Sequence, residues 1–79
     1  MLDELERAPK VVGVKQARRA LADGRAKRIY LAKDADPLLT LPLERQALDQ
    51  GVEAVWADSM KALGRACGIA VGAAVAAAV

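Results

Sequence analysis

In "KQARRALAD" (residues 15 to 23) the apolar positions Ala17, Ala20 and Leu21 fall at i, i+3 and i+4. That spacing predicts a helix with one buried stripe and Val14 one turn before it. Lys15, Arg18 and Arg19 repeat the spacing on a different face. Gly13 precedes the helix, and Gly24 supplies a residue suited to the left-handed turn that stops it. The period then changes. In "KRIYLAKD" the centre from Ile29 to Ala32 is continuously apolar and bounded by charges. A central strand covered on both faces has that pattern.

"DADP" supplies Asp36 as a helix cap and Pro37 as first helical residue. Pro42 lies too far in for an uninterrupted helix, so the pattern predicts one turn and a restart capped by Thr40. Leu41, Ala47 and Leu48 then face inward, and Gly51 ends the helix. "VEAVW" (52 to 56) reads as the next strand. Ser59 caps a short helix over "MKALGRAC", with Met60, Leu63 and Cys67 on one face and Gly68 as its stop. A glycine-bounded loop, "GIAVG", leads to a last strand over Ala73–Val79. The first eight residues form either a loose helical turn or a ragged end. Strands alternating with helices predict one α/β domain over residues 1–79, with helices on both faces of a small sheet.

The C-terminal run without charge begins at Ala66 and is 14 residues long. As a helix it would reach about 21 Å, short of the roughly 30 Å hydrocarbon layer, which argues against a membrane anchor. The N-terminus "MLDELERAPK" lacks the apolar segment of a signal peptide. The single cysteine, Cys67, cannot close an internal disulfide, and a reducing, cytoplasmic setting is expected. Phe is absent, so the core must be built from Ala, Val, Leu and Ile.

The net charge of +2 conceals an uneven distribution. Residues 7 to 33 hold nine Lys or Arg against Asp23, whereas residues 34 to 58 hold six acids against Arg45. Such a bias points to one basic face meeting a polyanion. The chain has no histidine, which excludes His-based triads and the commonest zinc sites, and it has no cluster of metal ligands or cofactor motif. Asp34 and Asp36 flank a strand end, where α/β enzymes keep carboxylates. Capping by Asp36 and a solvated turn account for them more simply. Cys67, on an apolar helix face, reads as a small inert core residue and not a nucleophile. "GIAVG" lacks the spacing and the lysine of a phosphate loop.

The basic cluster carries the functional signal. A solvated helix face is its ordinary explanation. Its placement argues for more: Gly13 permits close approach, and Lys15 and Gln16 sit at a helix start, whose free N–H groups favour phosphate. Lys, Arg and Gln side chains also donate to base edges. With two aromatic residues, Tyr30 and Trp56, the stacking platform of an RNA-recognition motif is not expected.

Taken together, "GVKQARRAL", "LAKDADP" and "SMKALGRACGIAVGAAVAA" resemble the kink-turn-binding ribosomal protein family, L7Ae with its relative L30e, in its short bacterial form. The resemblance runs from about Val11 to Val79, with the motifs in the family's order. It implies a three-layer α/β/α sandwich around a mixed four-stranded sheet. It also implies a non-catalytic protein that binds structured RNA bearing a kink-turn, an internal loop of tandem sheared G·A pairs beside a bulge. In the family a glycine, then Asn-Glu, then a Lys reads those pairs; Gly13, Lys15, Gln16 and Arg19 stand in their places. Lys for Asn exchanges a two-way amide for a donor-only cation, while Gln keeps an acceptor and Arg keeps the charge. The resemblance matches Asp36 to an acidic contact and Lys61 to a basic one. It places Ile69, Ala70 and Val71 against a flipped-out nucleotide, with Ala70 where many relatives carry Glu. Arg18 and Lys33 are expected on phosphates. The implied setting is a ribosomal or ribosome-like particle, with no membrane, and a monomer is expected. Two competing readings are a structural ribosomal protein working through protein contacts and a general polyanion binder.

Overall fold

The computed structural model describes residues 2–79. Four strands, β1 (Lys10–Val12), β2 (Arg28–Ala32), β3 (Glu53–Ala57) and β4 (Val75–Ala78), alternate with helices α1 (Asp3–Arg7), α2 (Val14–Ala22), α3 (Pro37–Asp49) and α4 (Met60–Ala66). The strand order is β1-β4-β2-β3. β4 runs antiparallel to both neighbours, and β2 pairs with β3 in parallel. This is the mixed four-stranded sheet that the resemblance implied.

The β pleat sends alternate side chains of β2 and β4 to opposite faces. Ile29, Leu31, Val75 and Ala77 pack with Ala17, Ala20 and Leu21 of α2 and Leu43 and Ala47 of α3. Tyr30, Ala32, Ala76 and Ala78 pack with Leu5 of α1 and Leu63 and Ala66 of α4. Three layers result, α/β/α. β4 is buried at all four positions, so the alanines of the C-terminal run form the centre of the sheet. Small side chains belong there, because helices approach closely from both sides. No described helix is long and apolar enough to cross a membrane.

Local signals behave largely as read. Asp36 accepts from the Leu38 amide and caps α3, and Ser59 accepts from the Ala62 amide and caps α4. Gly24, Gly51 and Gly68 follow helix ends at positive φ. Two expectations, both in α3, fail. α3 is continuous through Pro42 instead of restarting at Thr40. The proline ring offers no proton to the Leu38 carbonyl, but Leu38 is 82% exposed, so water can reach that group. Continuity sets a different phase: Thr40, Leu43 and Ala47 face the sheet, while Leu41 and Leu48 point outward. Leu5 anchors α1, so the N-terminal stretch is a short packed helix. β1, three residues long, went unread because "KVV" is too short to show a period.

Candidate nucleic-acid interface

The topology brings the expected site residues to one edge of the sheet. β1, β2 and β3 end there and β4 begins there. Leaving β1, the chain turns at Gly13, whose amide donates to the Val75 carbonyl (2.9 Å) at the start of β4. Gly13 has φ 113° and ψ 154°, a conformation that is strained for any residue with a Cβ. An added Cβ would also lie 2.7 Å from Gln16 Oε1. The glycine thus lets Gln16 fold back over the helix start.

α2 begins without an acid in its first turn and without a side-chain cap. Its first backbone N–H groups and its dipole therefore favour an anion. Lys15, Gln16 and Arg19 line an open depression of about 220 Å³ beside this start. Arg18 is exposed on the same helix. Among the described residues no carboxylate pairs with Lys15, Arg18, Arg19 or Lys61, whereas Arg25 and Arg28 are held in ion pairs. Lys33 lies 3.5 Å from Asp58, an exposed pair that contributes little and separates readily.

The apolar wall comes from the loop before β4. Ile69 and Val71 are exposed, Val71 to 71%, and Ala70 lies between them. Gly64 and Gly72 fix this loop. A Cβ on Gly64 would stand 2.1 Å from the Val71 carbonyl oxygen, and one on Gly72 would stand 3.1 Å from Met60 Cβ. Met60 is the junction: its amide donates to Asp34 Oδ1 (2.7 Å) and its carbonyl accepts from Ala73 (3.0 Å). One residue thereby ties the β2–α3 turn, the start of α4 with neighbouring Lys61, and the loop.

Asp34 and Asp36 are thus both engaged with helix starts. Asp36 keeps its second oxygen free at the exposed edge. Sequence reasoning missed Asp34 as a brace and Gly64 as a close-approach position. A glycine inside "KALGRA", where helix propensity disfavours it, was the available signal for the second. Cys67 is half-buried beside Leu63, and burial pushes its thiol up, as an inert packing residue requires.

Comparison with known proteins agrees with this fold. The chain is 50% identical over 64 residues to an RNA-binding protein of Bacillus pumilus, covering 81% of this chain and 78% of that one. It is 44% identical, with the same coverage, to the RNA-binding protein YbxF of Geobacillus stearothermophilus. A Giardia lamblia 15.5kD RNA binding protein superposes with a TM-score of 0.88 at 32% identity, over 98% of this chain and 68% of that one. A Bacillus halodurans protein of unknown function shares the fold, with a TM-score of 0.84 at 22% identity, over 98% of this chain and 78% of its own. Residues 3–79 match the family described as ribosomal protein L7Ae/L30e/S12e/Gadd45, and the chain belongs to that family.

Proposed function

We propose that this protein is a single-domain, non-catalytic RNA-binding module that recognises kink-turns, working in the cytoplasm as a monomer in a ribosomal or similar ribonucleoprotein particle. One observation carries the reading. A donor-rich helix start and an uncharged, exposed apolar loop lie at the same end of the sheet, and among the described residues no carboxylate pairs with Lys15 or Arg19. A kink-turn presents matching features, G·A base edges in a widened groove next to an extruded base. Lys15, Gln16 and Arg19 reach the base edges, and Gly13 allows the close approach. Ile69, Ala70 and Val71 cover the extruded nucleotide. Arg18, Lys33 and Lys61 hold phosphates, with Lys33 released from Asp58. Asp36 offers its free oxygen to a base or ribose donor. The names of the relatives support RNA as the partner class.

The test titrates the protein onto a kink-turn hairpin and onto the same hairpin with its G·A pairs changed to Watson–Crick pairs. The kink-turn is expected to bind more tightly, with the difference persisting as salt is raised. Equal affinity for both would leave a general polyanion binder.

A further inference from the structure

The opposite edge of the sheet, where β2 begins and β4 ends, holds a cavity of about 240 Å³ lined by Glu4, Ala8, Lys27, Arg28, Tyr30 and Ala78. Tyr30 is 1% exposed, yet its hydroxyl makes no hydrogen bond of normal geometry. A buried hydroxyl without a partner is rare, because its lost hydration is not replaced. Its neighbours make the deficit specific. Arg28 and Lys27 are donors only, so neither can accept the hydroxyl proton. What the hydroxyl lacks is an acceptor, because the Glu4 carboxylate that lines the cavity is engaged with Arg28.

The in-chain carboxylates do not fill that need. Arg28 pairs with Glu4 and with Glu53, at the mouth of the cavity and on β3. Lys27 has no carboxylate partner among the described residues. The Glu4 side chain is 69% exposed on a five-residue helix, so it can swing into solvent without disturbing the core.

We propose that this cavity is an oxyanion site for a phosphate group, in which Arg28, Lys27 and the Tyr30 hydroxyl are the donors and Glu4 occupies the ligand's place when the site is empty. Bidentate geometry suits the guanidinium to phosphate, and the hydroxyl supplies a neutral donor at the buried end. The phosphate comes either from a small phosphorylated molecule or from the backbone of RNA lying against this edge.

The test follows backbone amide resonances of the labelled protein as inorganic phosphate is added at constant ionic strength. Saturable shifts at Lys27, Arg28 and Tyr30 are expected. Glu4→Gln should tighten phosphate binding, because it removes the internal competitor. Tyr30→Phe should weaken it roughly tenfold, as loss of a hydrogen bond to a charged acceptor does. Removing the orphan hydroxyl leaves folding intact or improves it, so a loss in Tyr30→Phe is not a folding defect. Shifts that never saturate, or that survive undiminished in Arg28→Met and Tyr30→Phe, overturn the proposal. With saturable binding in hand, a lower kink-turn affinity of Arg28→Met identifies RNA as the source of the phosphate. Unchanged RNA affinity identifies a free phosphorylated molecule. The phosphate arm contains no RNA, so it stands or falls separately from the kink-turn reading.

Discussion

The start of α2 and the loop before β4 face the same sheet edge, yet they are built from opposite materials. The helix start offers Lys15, Gln16 and Arg19, whereas the chain from Ala66 to Val79 carries no charge at all. Their anchoring differs as well. The helix start rests on the backbone conformation of Gly13 and its bond to Val75. The loop is held because α4 and the loop backbone approach too closely for a side chain at Gly64. A polar surface can be carried on a regular element, since each residue keeps its own solvent-facing position. An exposed apolar surface needs a rigid support, or it would collapse onto the core.

The comparison can be broken at several points. Gly64→Ala has the largest expected effect, because its methyl group would meet a backbone oxygen that cannot rotate away. Overpacking of this kind costs about 3 kcal/mol, and a thermal melt should show a midpoint lower by roughly 12–24 °C. An unshifted melt would mean that the loop moves freely and is not anchored as described. Gly13→Ala should cost about 1–3 kcal/mol from backbone strain, since the clashing Gln16 Oε1 is the end of a flexible side chain. RNA affinity should fall further than stability, because Gln16 must move.

Substitutions beyond the supports separate the two walls by function. On the proposed reading, Arg19→Ala loses about 1–3 kcal/mol on kink-turn RNA and narrows the gap to the Watson–Crick control. A similar loss on both RNAs would instead place Arg19 on phosphate. Val71→Ala should leave the melt unchanged, since the side chain is 71% exposed. It should weaken binding by about 1 kcal/mol on an RNA with a bulge, and by nothing on one without.

The smallest effect is electrostatic and lies outside both walls. Burial raises the Cys67 thiol, so the folded state holds its proton at pH values where the unfolded chain has released it. Stability should be fully present below the ordinary thiol value of about 8.5 and decline as pH rises from there through the folded value. Cys67→Ala should flatten that part of a stability–pH profile. A decline of the same size in the variant would assign it to other groups.

Much of this architecture was legible along the chain. Gly24, Gly51 and Gly68 stop helices because each adopts a positive φ, a backbone preference that glycine carries with it into any fold. Asp36 and Ser59 cap helices through bonds to amides two or three residues away. Such interactions are local, so sequence alone specifies them. The Pro42 reading failed because the gain from continuity, burial of Thr40, Leu43 and Ala47 against the sheet, lies outside the helix itself.

The sequence by itself determined the alternation of elements, their caps and stops, the basic segment and the family motifs, all set by neighbours within a few residues. Tertiary structure alone decided that three strand ends and one strand start share an edge, which brings the start of α2 and the loop before β4 to the same end of the sheet across more than fifty residues of chain. It alone made Met60 the junction of turn, helix and loop, and left the buried Tyr30 hydroxyl without a hydrogen-bond partner at a cavity that Lys27 and Arg28 also line. These depend on strand order and on close approach between distant segments, and no local spacing encodes them.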